Sequence, residues 1–310
     1  MYTFKGKSKR DAAAGITFSD DGIALAIVKR GPLSLILDAC PFVPCLPKDQ
    51  KSQLAQLVKQ YQLDLIPCNC VLLPREFELI QVDAPEVTSQ ELSIALRWQI
   101  KDRIDFHIDD AVIDHIALPI EATSGNKSLL VVASRESVIR GHIEHMQSAS
   151  CNINSVDIAT QAARNILNIQ IATSTQESIG LLNLWNDIAK ISVIHNQDIC
   201  INRSSNIGLE LLEIVSDRDT NNELIVDSLA LELQRTFDYY ESYLRQSPIS
   251  QLVIICNEKP LENLADMLHQ RLGIDCIDIN IPNILTLNKS IVNVDHKCIT
   301  AIGGALRDFS

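Results

Sequence analysis

AGITFSDDGIALAIV (14–28) consists of two apolar runs broken by Ser19-Asp20-Asp21-Gly22. Each run is too short for a helix, and the break is made of residues that favour tight turns, so the stretch predicts an antiparallel hairpin. A third run, LSLIL (33–37), follows KRGP and extends the hairpin to a meander. The same outline returns late in the chain, as Ile179 to Trp185, Ile188 to His195 and Ile199 to Arg203. A strand-turn-strand pattern that occurs twice implies two related lobes.

The intervening sequence makes the chain α/β. A helix is predicted from Pro47 through Gln60, with Leu54, Leu57, Val58 and Tyr61 on one stripe, and then a strand at 70–73. Thr88-Ser-Gln-Glu91 is a capping box opening a helix that should run to about Ile104. Strands at 111–117 and 128–133 and a helix opened by Ser134, with Val138, Ile139, His142, Ile143 and Met146 inward, complete a small α+β unit over 85–150. Leu229, Leu233, Phe237, Tyr240 and Leu244 form the apolar stripe of a core helix over 228–244. A strand at 252–256, a helix begun by Pro260 and a strand at 274–279 follow, and Cys298 to Arg307 reads as a closing helix whose small residues permit close packing.

Composition narrows the function. The 310 residues are 46% hydrophobic and 21% charged, the balance of a globular protein large enough for two lobes. No apolar run approaches the roughly 20 residues that span a bilayer, and the first fifteen residues lack the apolar segment of a secretory signal, so a cytoplasmic protein is expected. A net charge of −12 argues against nucleic-acid binding, which needs clustered cations. Lys5, Lys7, Lys9 and Arg10 are a local exception, either a solubilising tail or a weak attraction to anionic lipid. Nine cysteines without a CxxC pair read as reduced core residues; Cys68 and Cys70 share a strand face but no second ligand pair gives them zinc spacing. His107, His115, His142, His145 and His195 are scattered, and Asp109, Asp110 and Asp114 are most simply a solvated edge, so neither group makes a catalytic set. GxSxG, GxxxxGKS and GxGxxG are all missing, which removes support for hydrolase, P-loop and dinucleotide readings.

The hairpin at 15–28, LRWQIKDRIDFHIDDAVIDH (96–115), VVASRESVIRGHIEHMQSASCNINSVDIAT (131–160), LALELQRTFDYYESY (229–243) and AIGGALR (301–307) stand in an order and spacing that resemble the PilM family of type IV pilus assembly proteins. Within that family the sequence is most similar to the branch serving mannose-sensitive haemagglutinin (MSHA) pili. The resemblance implies an actin-like ATPase fold: a first lobe in 1–84 and 151–175, an inserted α+β domain in 85–150, a second lobe in 176–294, and a C-terminal helix in 295–310 closing the first lobe. It also implies peripheral attachment to the inner membrane through the cytoplasmic tail of a PilN-like protein, docked on the first lobe and its inserted domain. Other pilus components and further copies of the chain are additional partners it allows. The helix carrying Arg97, Trp98 and Arg103 supplies candidate contacts, with Trp98 equally suited to the core.

An actin-like nucleotide site needs glycine-containing turns, so that backbone amides reach the phosphates, and acids that hold magnesium or its waters. Where the family has Asp-Ile-Gly-Ser, this chain has Thr17-Phe18-Ser19-Asp20. The matching Asp-Ile-Gly of the second lobe becomes Asn183-Leu184-Trp185, and the late glycine-rich turn becomes Cys256-Asn257-Glu258-Lys259. These changes predict a pseudo-ATPase scaffold without cofactor. The alternatives are the same scaffold switched by ATP with magnesium, and a sugar kinase, for which no catalytic Asp or intact phosphate loop is found.

Overall fold

The computed structural model describes residues 11–119, 127–171, 177–213, 221–259 and 261–309; Lys5, Lys7, Lys9, Arg10 and Pro260 lie outside them. The chain forms two compact units, one comprising the chain to Ile116 with Leu129–Gln170 and Ile281–Ser310, the other Ala117–Ser128 with Ile171–Asn280.

The first unit opens with β1 (Ala12–Ser19) and β2 (Gly22–Arg30), an antiparallel hairpin in which Ser19 faces Gly22. Then come β3 (Leu35–Ala39), β4 (Phe42–Pro44), α1 (Gln50–Tyr61) and β5 (Cys68–Leu72). β6 (Glu78–Asp83), α2 (Leu92–Ile100), β7 (Ala111–Ala117) and β8 (Ser128–Arg135) follow. The unit continues through α3 (Glu136–Ser148), β9 (Ile153–Ile158) and α4 (Ala159–Ile171). Its main sheet has the order β15-β3-β2-β1-β5-β9, with β4 also on β2, where β15 is Thr286–Leu287. β6, β8 and β7 form a separate three-stranded sheet, closed by α2 through Leu96 and Ile100 against Ile80, Val82, Leu129 and Val131.

In the second unit β10 (Ser178–Leu184), β11 (Ala189–His195) and β12 (Asp198–Ser205) precede α5 (Leu209–Glu213) and α6 (Asn221–Asp238). β13 (Ile249–Cys256), α7 (Leu264–Leu272) and β14 (Asp275–Asp278) complete it, in the sheet order β12-β11-β10-β13-β14. β10 is antiparallel to β11 and parallel to β13, as β1 is to β2 and β5, so the repeated meander builds the same half-sheet twice.

The chain returns to the first unit with α8 (Ile281–Ile284) and α9 (Ile299–Leu306). This return comes earlier than the boundary at 295 expected from sequence, because Thr286 and Leu287 pair with Ile36 and Leu37. α9 lies at backbone contact with the sheet and with α4. A Cβ on Gly15 would sit 1.9 Å from the Ala301 carbonyl oxygen, and one on Gly303 would sit 2.2 Å from that of Ala162. The helix opened by the capping box stops at Ile100 rather than about Ile104. There Arg103 donates its backbone N–H to the Ile100 carbonyl (2.8 Å) and its guanidinium to that of Gln81 (2.9 Å), which turns the chain away.

Candidate functional site

β7 ends the three-stranded sheet and β9 ends the main sheet of the first unit. Among the described residues, both edges therefore leave main-chain donors and acceptors without a strand partner. Strand alternation on β8 sends Leu129 and Val131 to α2 and Val132 and Ser134 to the opposite face. There Val112, Asp114 and Ile116 of β7, Val156 and Ile158 of β9, and Gln161 of α4 enclose a cavity of about 80 Å³. A larger cavity of about 510 Å³ adjoins it, sharing Val112, Ile139 and Val156 and lined further by Arg140, Ile143, Gln147, Cys151 and Ile153. Together they form an apolar groove floored by α3 and flanked by two sheet edges.

The polar groups of the groove are mostly anchored from within the unit. Ser134 donates to the Glu76 carbonyl (2.6 Å). Asp157 accepts from the Ile158 amide (2.8 Å) and pairs with Arg307 (2.5 Å). Glu136 pairs with Arg140 at the rim. Among the described residues the buried Oε1 of Gln161 has no hydrogen-bond partner, so it offers an acceptor on the cavity wall.

The opposite face of α3 packs against the first hairpin. His142 stacks on Phe18 with ring centroids 5.0 Å apart and meets Glu76 at 2.5 Å; His145 meets the same ring edge-on. The acid beside His142 comes from 66 positions away, which local spacing cannot reveal. Burial, and after it the neighbouring His142 and Lys51, hold His145 below its ordinary pKa.

The positions expected to carry nucleotide chemistry are engaged with their own neighbours. Thr17 is buried in β1. Ser19 Oγ donates to Asp21 (2.6 Å), its carbonyl accepts from Gln50 (2.6 Å), and Asp21 is paired with Lys297, while Asp20 is exposed at the turn. In the second unit the Asn257 side chain donates to Asn183 Oδ1 (2.6 Å) and to the Leu184 carbonyl (3.0 Å). Buried Lys190, opposite Asn183 in the hairpin, donates to Ser204 (2.8 Å). Trp185 is buried, and its carbonyl and that of Asn186 cap α5 through the amides of Leu209 and Glu210, both at 2.8 Å. Cys256 is buried at the end of β13, Glu258 is half-buried, and Lys259 pairs with Glu213 (2.9 Å).

Arg97, Trp98 and Arg103 lie on the side of the small sheet away from the groove. Arg97 donates to the carbonyls of Ile108 (2.7 Å) and Ala111 (2.9 Å), so both arginines staple the subdomain internally. Trp98 is 67% exposed, with Lys101 over its ring at 4.8 Å. Of the two roles open to it in the sequence, the core is excluded. Asp109 and Asp110 are exposed beside β7, whereas Asp114 turns into the groove. Among the described residues no cluster of His, Cys, Asp or Glu could hold a metal ion, and no helix is long and apolar enough to cross a membrane.

Two hairpin-led half-sheets with helices packed on them define the actin-like ATPase fold. A Bacteroides thetaiotaomicron protein of that fold and of unknown function superposes with a TM-score of 0.51 at 8% identity, covering 94% of this chain and 96% of that one. A structure of the PilM-PilN type IV pilus biogenesis complex superposes with a TM-score of 0.74 at 18% identity, covering 98% of this chain and 100% of that one. Residues 78–223 match the family model described as type IV pilus assembly protein PilM, so this stretch carries a PilM-type domain. No protein of curated function matches the sequence.

Proposed function

We propose that this chain is an assembly scaffold of a type IV pilus of the MSHA type. It holds the cytoplasmic tail of a PilN-like inner-membrane protein in the groove between β7 and β9, and is itself peripheral at the cytoplasmic face of that membrane. The carrying observation is the groove: every residue lining the 510 Å³ cavity falls inside the segment that matches PilM. An extended segment fits such a place, adding main-chain hydrogen bonds to an open edge while alternate side chains fill apolar pockets.

The same reading makes the protein a pseudo-ATPase. An actin-like site presents carboxylates to magnesium and bare backbone to phosphate. Here a carboxamide pair, Asn183 with Asn257, and the buried indole of Trp185 stand at those positions. These groups do not fit a magnesium nucleotide. Calorimetric titration of the purified chain with a PilN-like tail peptide, and separately with ATP and magnesium, tests both halves. Peptide binding without nucleotide binding is expected. Nucleotide binding alone would reverse the proposal, and binding of both would favour an ATP-switched scaffold.

A further inference from the structure

The C-terminal end of α3 carries a thiol to the groove. Ser150 adopts a left-handed backbone (φ 65°), and the Cys151 amide donates to the Met146 carbonyl (2.9 Å), so the chain turns back under the helix. This leaves Cys151 half-buried on the wall of the larger cavity, next to Ile143 and Ile153. In the same packed cluster is Cys68, the first residue of β5, fully buried. The Cys68 amide donates to the Asn152 carbonyl (2.8 Å), and its thiol lies by the carbonyls of Ile66 (3.1 Å) and Leu63 (3.4 Å). The two side chains belong to one packed cluster.

Exposure divides the roles, since Cys151 is half-buried on the cavity wall and Cys68 is fully buried. A hydrogen bond from Cys68 lowers the pKa of the Cys151 thiol against the effect of burial. The same contact, together with burial, raises that of Cys68. Reactivity follows the thiolate and its access to solvent, and both favour Cys151.

We propose that Cys151 and Cys68 form a redox pair on the wall of the groove, Cys151 as the attacking thiol and Cys68 as the resolving one. With a peroxide as oxidant, the Cys151 thiolate attacks one peroxide oxygen and the O–O bond breaks. Hydroxide leaves and takes up a proton as water, and the sulfur becomes a sulfenic acid. Cys68 then attacks that sulfur, its proton leaves with the displaced hydroxide as a second water, and the disulfide closes. Two thiols are oxidised, one peroxide is reduced to two waters, and a dithiol reductant reverses the step. Closure brings the sulfurs to about 2.05 Å and draws Cys151 away from the groove toward the core. The consequence for docking rests on the function proposed above; the pair itself does not.

The test starts from fully reduced protein exposed to hydrogen peroxide, quenched with N-ethylmaleimide and digested without reduction for mass spectrometry. The expected product is a Cys68–Cys151 linked peptide, lighter than its parts by two hydrogens and released by dithiothreitol. Cys68→Ser should leave a sulfenic acid on Cys151 that dimedone traps, and Cys151→Ser should leave Cys68 unmodified, each variant being checked for native circular dichroism. The second pair, Cys298 against the Cys40 carbonyl at 3.6 Å, lies away from the groove and serves as an internal comparison. A Cys40–Cys298 link in place of the Cys68–Cys151 link, or Cys151 recovered as the alkylated thiol, would overturn the proposal. Titration of the oxidised protein with the tail peptide should show roughly threefold or weaker affinity than the reduced form. Equal affinity would overturn the effect on docking, while failure of the reduced protein to bind would count against the docking function alone, because the linked peptide is read without it.

Discussion

Replacing Arg307 with alanine should cost the first unit a large part of its stability. Arg307 Nη1 lies 2.5 Å from Asp157 Oδ2, and the two side chains are only 12% and 4% exposed, so solvent screens the pair little. Truncation leaves the carboxylate on a buried strand, where it still accepts from the Ile158 amide at 2.8 Å. Breaking a buried pair by removing one partner costs about 3–5 kcal/mol. The cavity beside Asp157 lets water approach the stranded charge, which places the loss near the lower figure, about 3 kcal/mol out of a typical total of about 5–15 kcal/mol. Adding Asp157→Asn removes the unpaired charge and should restore a clear part of the loss. Urea unfolding followed by circular dichroism measures all three proteins. A loss below about 1 kcal/mol for Arg307→Ala, or a double variant no more stable than the single one, would refute the reasoning.

Other perturbations test separate parts of the account. Ile139→Asp places a carboxylate at the junction of the two cavities and should weaken tail-peptide binding by about tenfold or more, measured by calorimetry on protein whose circular dichroism is unchanged. Gly303→Val should lower the urea midpoint by an amount equivalent to about 2 kcal/mol or more, because its Cβ would meet the Ala162 backbone oxygen and neither helix can yield. The folded-state pKa of His145 is depressed by burial, by His142 and by Lys51, against the opposing pull of Glu144. The stability it contributes is therefore present above its unfolded pKa of about 6.5 and is lost as pH falls through the lower folded value. Between pH 7.5 and 5.5 the wild-type urea midpoint should fall further than that of His145→Gln, and parallel profiles would contradict this.

The repeated meander was legible because its strands are short apolar runs separated by turn residues, a pattern set locally. The edge that matters most was not. β9 reads Ile-Asn-Ser-Val-Asp-Ile, and its buried Asn154, Ser155 and Asp157 are polar residues that a hydrophobicity pattern assigns to a loop. They are tolerated because Asn154 and Ser155 donate to Asn69 Oδ1, each at 2.7 Å, while Asp157 pairs with Arg307, partners 85 to 150 positions away. The groove was hidden for the same reason, since it exists only where β7, α3 and β9 converge. Trp98, on a well-marked helix, was equally open to a core or a contact role from the sequence. The helix periodicity was real, with Leu96 and Ile100 buried, but it could not say on which side of the small sheet a partner would sit. At the nucleotide-type turns the substitutions themselves were readable. What the structure adds is that Asn183 and Asn257 bond to each other.

Amide hydrogen exchange of the chain with and without the PilN-like tail peptide tests the central claim most directly, because it reports where a partner rests. The account predicts slowed exchange confined to β7, the groove face of α3 and β9, with α2 unchanged. Slowing around Trp98 with β7 and β9 unaffected, or no slowing anywhere at saturating peptide, would contradict it.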